Sequence, residues 1–351
     1  MSGATVYIRI AVTALAGALG LTALVRRYAL ARSVIDVPNE RSSHAIPTPR
    51  GGGAAIVAVV LAGIAGLTWS GSIPLAIGVA LGGGGTMVAA VGWIDDRRGV
   101  PSRVRFLIHV LASTWAIAWL GGMPFVTTGA DRVYLGLAGS VLAIAAVIWS
   151  TNLYNFMDGI DGLAAVEAVT TGLIAATLLA PRSPALAAVS VLVGASAAGF
   201  LPWNWSPARI FMGDIGSGFL GFILGGLAAA SEITEALPAL VWVVILGVFF
   251  ADATITLVRR MVRGDRWHSA HRDHAYQRAV QSGWPHSRVC LVVVGLNLAL
   301  GVGVWWAVRN PELLPPVLTT AGLMLGTLYL IIELRRPMPT AEKRVGSGTR
   351  T

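Results

Sequence analysis

Charge is what this chain has least of. Of its 351 residues, 12% are Asp, Glu, Lys or Arg, about half the fraction found in a typical soluble domain. That shortage excludes an ordinary water-soluble fold, which needs a polar skin. Cysteine is nearly missing too. The lone Cys290 leaves no internal disulfide and no Cys-x-x-Cys pair for zinc or redox chemistry, and reads as an inert residue of an apolar helix. No stretch has the polarity of a separate soluble domain or linker, and neither a tandem nor an inverted repeat stands out. The N-terminus lacks the small-residue cleavage site of a secretory signal. Thr5 to Val25 is long enough to span a bilayer and runs into Arg26 and Arg27, so it reads as a retained first span.

What fills the chain instead is apolar: 55% of it is hydrophobic. A bilayer core accepts helices of roughly 20 apolar residues. Eleven such stretches fall near 5–25, 53–70, 73–93, 105–122, 134–154, 162–180, 185–201, 216–232, 237–258, 288–308 and 316–334. Backbone polar groups have no water partner in lipid, and long unbroken apolar runs do not suit a porin-type barrel. The expected fold class is therefore all-α: a polytopic membrane helix bundle of about 11 transmembrane helices. One transmembrane domain is expected over 1–336, followed by a disordered polar tail over 337–351.

The formal charge of +9 could suggest nucleic acid, but its placement indicates orientation in a membrane. All of the 26 basic residues except Arg9, Arg132, Arg182 and Arg309 fall in alternate loops or the tail. The positive-inside rule then puts the N-terminus in the periplasm and the C-terminus in the cytoplasm. The same topology gathers Asp95, Asp96, Asp158, Asp161, Asp214, Asp265 and Asp273 on the cytoplasmic side. Five of the six histidines (His44, His268, His271, His274, His286) join them.

Four segments within that face carry chemistry. In Gly92-Trp-Ile-Asp95-Asp96-Arg-Arg-Gly, adjacent carboxylates repel unless a cation or proton offsets them. Mg²⁺ suits one or two carboxylates plus phosphate oxygens, although a solvated loop explains the dipeptide about as well. In Asn152-Leu-Tyr-Asn155-Phe-Met-Asp158-Gly-Ile-Asp161-Gly, polar groups recur every three residues, which would bring them near one face of a helix. Such an array at membrane depth is costly without a partner. A plain turn explains Asp-Gly but not the rest.

Phe211-Met-Gly-Asp214-Ile-Gly-Ser-Gly218 places an acid in a glycine-rich bend before a helix. Backbone N–H groups there can meet phosphate, and Asp214 would either hold a metal ion or cap the helix. Last, the loop from Gly264 to Arg278 spaces His268, His271 and His274 by three. Zinc is one reading of that spacing. The interleaved arginines favour a diphosphate, which imidazole and guanidinium groups bind well.

These segments lie in a longer pattern. It begins with Asp36-Val-Pro-Asn-Glu-Arg-Ser-Ser-His44 and Pro47-Thr-Pro-Arg50-Gly-Gly-Gly, then continues through the four segments above. Over nearly the whole chain it resembles the polyprenyl-phosphate N-acetylhexosamine-1-phosphate transferase family. That family includes O-antigen-initiating enzymes and the phospho-N-acetylmuramoyl-pentapeptide transferase. The resemblance implies an Mg²⁺-dependent transfer, with Mn²⁺ as an alternative metal, of a sugar 1-phosphate from a UDP-sugar to undecaprenyl (polyprenyl) phosphate. UMP leaves at the cytoplasmic face of a bacterial inner membrane.

By the same resemblance, Asp214 is the principal metal ligand with Asp96 in support, and Asp95 deprotonates or orients the lipid phosphate. Asn155, Asp158 and Asp161 shape the nucleotide pocket. His271, Arg272 and His274 line the diphosphate site, Arg105 meets the lipid phosphate, and His44 and Arg50 also contact substrate. The partners implied are the UDP-sugar, the polyprenyl phosphate lipid and the membrane, with a homodimer as the candidate assembly and no nucleic acid.

His271-Arg-Asp-His274 lacks the consecutive histidines typical of the peptidoglycan enzyme, which argues for an N-acetylated amino sugar rather than the muramoyl-pentapeptide. His109 stands where related chains often carry Gln and reads as a helix histidine. A transporter is the rival class. It would need charged groups at mid-membrane, and Glu167 and Asp252 are the main candidates.

Overall fold

The computed structural model describes residues 3–38, 46–265 and 271–338. Each of the eleven apolar stretches carries a helix, because a segment in lipid must satisfy its own backbone. In chain order, α1 (Gly3–Ala31) leads through a two-residue strand β1 (Ile35–Asp36), paired antiparallel with β2 (Thr48–Pro49), into α2 (Gly53–Trp69). Next come α3 (Leu75–Arg98) and α4 (Ser102–Trp119). A small hairpin follows, β3 (Phe125–Thr127) with β4 (Arg132–Tyr134), and then α5 (Leu137–Met157).

The second half holds α6 (Leu163–Leu179), α7 (Pro184–Asn204), α8 (Asp214–Ile233), α9 (Ala239–Ile245) and α10 (Gly247–Val262). A short α11 (Ala275–Gln281) carries the end of the histidine loop, ahead of α12 (His286–Arg309) and α13 (Leu314–Arg335). The structure is 76% helical.

Among the described residues, seven helices are each long and apolar enough to cross a membrane: α1, α3, α5, α7, α8, α12 and the last span, which opens with a 3-10 turn at Pro311–Leu313. The count is eight if α9 and α10, bent by 82° at their junction, form one broken span. By length and composition this is fewer than the eleven crossings expected. The reason lies in particular helices: α2 and α6 have 17 residues each, and α4 is not among the spans that meet both criteria.

The centre of the bundle is α8, packed between α3 and α5 and also touching α2, α4 and α7. Small residues let its neighbours approach closely, and the Ser150 hydroxyl of α5 donates to the Gly221 carbonyl of α8 at 2.8 Å. Around this core, α7 pairs with α6 and α1, while α10, α12 and α13 form the other flank. A helix of 20 residues is about 30 Å long, so the two ends of α8 lie on opposite faces of the bundle. At one end stands Asp214. At the other, buried Glu232 accepts the Thr127 N–H (2.9 Å) and hydroxyl (2.6 Å) and the Ala239 N–H (2.5 Å). That latch ties the β3–β4 hairpin to the α8–α9 connection.

Candidate active site

Four of the acids read from the sequence, Asp95, Asp96, Asp158 and Asp214, meet at the N-terminal end of α8, where the C-terminal ends of α3 and α5 arrive. Gly92 of α3 makes the approach possible: a Cβ there would come within 2.5 Å of the Asp214 carbonyl oxygen. Gly213 precedes the helix with φ +78°, a conformation that side-chain-bearing residues rarely adopt. A Cβ on it would also press on the Asp96 carboxylate.

The adjacent carboxylates of Asp95 and Asp96 point to different partners. Asp96 accepts the backbone N–H groups of Asp214 (2.9 Å) and Ile215 (3.1 Å) and pairs with Arg50 Nε at 2.7 Å. It thus caps α8 from another helix, the role considered above for Asp214 itself. Asp95 accepts the Val100 N–H at 2.5 Å and pairs with Arg105. Asp214 is free of capping duty and lies between two guanidiniums: Arg50 at 3.4 Å from Oδ1 and Arg105 at 2.9 Å from Oδ2. Arg50 and Arg105, assigned on the sequence to substrate, here bridge the three acids. Their side chains remain 31% and 35% exposed, while Asp96 is 1% exposed.

Asp158 ends α5 as its C-cap. Burial and the nearby carboxylates of Asp214 and Asp96 push its carboxyl well above the usual range. It therefore shares the field of the cluster. The polar array around it does not lie on one helical face, because α5 stops at Met157. Asn155, half-buried, stays on the helix, and Asp161 turns elsewhere. Asp161 accepts the Ala208 N–H at 3.1 Å and lies 3.3 Å from His286 Nδ1. Burial alone would raise its carboxyl, but those hydrogen bonds outweigh it and hold Asp161 below its ordinary value. Asp161 thus anchors the α7–α8 loop to the start of α12.

The histidine loop reaches the same end of α5. Tyr276 donates its hydroxyl to the Phe156 carbonyl at 3.1 Å. Its ring and Gln277 crowd Gly159, where a Cβ would find no room. His271 and His274 are adjacent, ring centroids 4.9 Å apart, on an extended approach to α11 rather than on a helix. Arg272 offers its carbonyl to the Gln281 side chain at 3.0 Å. His44 and His268 lie outside the described residues, as does the tail from 339 onward.

Sequence reasoning undervalued Asp252. It caps α11 by accepting the Ala275 (2.8 Å) and Tyr276 (3.0 Å) N–H groups, and it lies 3.3 Å from His274 Nδ1. Glu167 accepts from Asn297 at 2.7 Å. Both mid-chain acids considered for a transporter pair locally. His109 sits on α4 one turn past Arg105, buried, with no hydrogen-bond partner at Nδ1.

A remote acid supports the loop from behind. Glu333, near the end of α13, forms a two-pronged pair with Arg259 (2.6 and 2.8 Å) and also pairs with fully buried Arg278 of α11. The Met338 N–H returns to Glu333 at 3.2 Å. Nothing in the spacing of a lone glutamate at the end of an apolar run announces this role.

A sequence model of the glycosyl transferase family 4 matches residues 78–232, which contain this acid cluster. The "probable undecaprenyl-phosphate N-acetylglucosaminyl 1-phosphate transferase" of Bacillus subtilis (strain 168) is 32% identical over 282 residues, covering 78% of this chain and 77% of the relative. The chain belongs to the polyprenyl-phosphate N-acetylhexosamine-1-phosphate transferase family. Another relative in that family, the decaprenyl-phosphate N-acetylglucosaminephosphotransferase of Mycobacterium leprae (strain TN), is 30% identical over 356 residues. It covers 90% of this chain and 87% of its own length. The phospho-N-acetylmuramoyl-pentapeptide-transferase of Picosynechococcus sp. (strain ATCC 27264 / PCC 7002 / PR-6) is 29% identical over 279 residues, 72% of each chain.

Proposed function

We propose that the protein transfers an N-acetylated amino-sugar 1-phosphate, N-acetylglucosamine 1-phosphate first among them, from its UDP-sugar to undecaprenyl (polyprenyl) phosphate. UMP is released. The observation that carries this reading is the convergence of Asp95, Asp96, Asp158 and Asp214 with Arg50 and Arg105 at one end of an apolar bundle. The relatives that cover most of the chain are named for N-acetylglucosamine transfer, which favours that sugar over the muramoyl-pentapeptide.

A lipid-phosphate oxygen would attack the sugar-proximal phosphorus. One P–O bond forms, the bond to the UMP phosphate breaks, and UMP leaves with the electron pair. The barrier is the approach of two anions, so positioning and charge compensation dominate. Arg50 and Arg105 offset charge on the diphosphate, and Asp95 orients the incoming phosphate and accepts its proton. Asn155 and Asp158 face the nucleotide, with His271 and Arg272 near the diphosphate. His274, held by Asp252, sets the pose of the loop.

The donor set suits Mg²⁺. Four carboxylates against two guanidiniums repel one another, which is part of what raises the Asp158 carboxyl, and a hard divalent cation taking carboxylate and substrate phosphate oxygens would relieve that repulsion. Substrate phosphate oxygens and waters would complete the coordination, as this ion prefers. Asp214 would hold the ion, which supplies charge neutralisation of the diphosphate when bound. Asp96, expected from the sequence as a second ligand, has both oxygens engaged by the α8 cap and Arg50 and would position Asp214 instead. Mn²⁺ is the alternative.

The reading includes eleven crossings of a bacterial inner membrane, a periplasmic N-terminus, a cytoplasmic site and C-terminus, and a product that initiates an O-antigen-like surface polysaccharide. The test uses purified protein in detergent with undecaprenyl phosphate, Mg²⁺ and a panel of radiolabelled UDP-sugars, following UMP release and labelled lipid. Asp214→Asn is expected to abolish both. Wild-type rates in that variant, or no labelled lipid from any UDP-sugar with the native chain, would overturn the proposal.

A further inference from the structure

A polar cavity adjoins the acid cluster, and apart from Arg50 and Asp96 its lining is not used by the chemistry above. It encloses about 440 Å³ between the C-terminal end of α1, strand β1 and the C-terminal end of α3. Arg32, Arg50, Arg97 and Arg98 line it against only Asp36 and Asp96. Its wall is shared: Arg50 and Asp96, paired at 2.7 Å, belong to both the cavity and the cluster.

The four guanidiniums are not equivalent. Arg50 is engaged by Asp96 and Asp214. Arg97 is set in place by aromatic rings, 3.9 Å from the Trp93 centroid and 2.5 Å from the Tyr28 hydroxyl to which it donates. Arg32 and Arg98 are exposed and form no ion pair among the described residues. Uncompensated guanidiniums around a cavity of this size suit a phosphate group.

The surroundings indicate which phosphate. Tyr28 on the last turn of α1 and Ile35 of β1, both exposed, line the same cavity and give it an apolar margin. Leu24 and Tyr28 are one turn apart on α1, a helix that is largely unburied along its length. A soluble nucleotide gains nothing from that margin. A phosphate carried on a long hydrocarbon can place its head among the arginines and its chain along α1.

We propose that the arginine-lined cavity between α1, β1 and α3 is where the phosphate of the lipid acceptor first docks before it passes to Asp95, with Arg32 and Arg98 as its recognition residues. The proposal rests on the transfer reading above and names where one of its two substrates binds.

The test compares the native full-length protein with Arg32→Ala/Arg98→Ala and with Arg335→Ala, the same type of charge loss on an exposed site at the far end of α13. In the transfer assay the double variant is expected to raise the KM for undecaprenyl phosphate at least tenfold. The KM for the UDP-sugar should stay within twofold, and Arg335→Ala should change neither. An unchanged lipid KM, or a rise confined to the UDP-sugar, would overturn the proposal.

A binding arm does not depend on turnover. Native mass spectrometry in detergent measures retention of undecaprenyl phosphate, undecaprenol, inorganic phosphate and phosphatidylglycerol. Preferential retention of the lipid phosphate by the native protein, lost in the double variant, supports the docking site even where no transfer is seen. Equal retention of undecaprenol, or of phosphatidylglycerol, refutes it. Retention of inorganic phosphate as strong as that of the lipid refutes a role for the hydrocarbon chain.

Discussion

Asp96 accepts the backbone N–H of Asp214 at 2.9 Å, so one acid fixes the helix end from which the other projects. Because both oxygens of Asp96 serve that cap and Arg50, its removal costs position as well as charge. Asp96→Ala is expected to lower stability by about 1–2 kcal/mol, the usual worth of a helix cap. Gly213→Ala forces a Cβ onto the same carboxylate and should reduce transfer at least tenfold with the acids intact. Melting in detergent measures the first effect, and UMP release the second.

Asp158 offers the opposite sign. Its carboxyl is raised, so its ionisation in the folded state opposes folding: the stability it allows is present below the ordinary carboxylate range and is lost as pH rises. Asp158→Asn should therefore melt about 2 °C or more above the native protein at pH 7 without divalent cations. It should also lose most of its transfer activity. A variant that melts lower at pH 7 than at pH 4, relative to native, would contradict that sign.

Asp161 behaves conversely. Held below its ordinary value, it adds stability above the unfolded pKa of about 4, and that contribution disappears as pH falls through its lower folded value. Asp161→Asn should be less stable than native near neutrality, with the difference shrinking in acid. Melting curves from pH 7 to pH 3 would check this. His286→Ala is expected to reproduce part of the loss.

Tyr276 ties the histidine loop to the end of α5 by one hydroxyl, donated to the Phe156 carbonyl. Tyr276→Phe keeps the ring and removes that bond, a loss of about 1 kcal/mol. The KM for the UDP-sugar should rise several-fold, with the KM for the lipid unchanged.

Much of this was legible in the sequence because membrane burial restricts the choices. An apolar run in lipid must be helical, and all eleven runs are. An acid at the edge of such a run needs a reason, and Asp95, Asp96, Asp158 and Asp214 share one. What was not legible depends on directions that spacing does not encode. Asp95 and Asp96 are neighbours in sequence yet face different partners. Asp158 and Asp161 look like a pair, but α5 ends between Asn155 and both of them, and a turn sends Asp161 to His286. Asp252 reads as a stray acid in an apolar run until α11 folds back onto it.

Glu333 should be among the costliest single changes outside the cluster. Glu333→Gln leaves the buried Arg278 cation without its acid, a loss on the order of 3 kcal/mol. Thermal stability and the transfer rate should both fall, with Glu333→Asp partly restoring them.

That latch also bears on synthesis. The chain leaves the ribosome N-terminus first, so every carboxylate of the acid cluster is synthesised before α13. Until the final helix inserts, Arg259 and Arg278 have no Glu333, and α11 has the Asp252 cap but not the ion pair behind it. Glu333 is thus the last part of the support behind α11 to be made, and a product ending before α13 would leave the buried Arg278 without its acid.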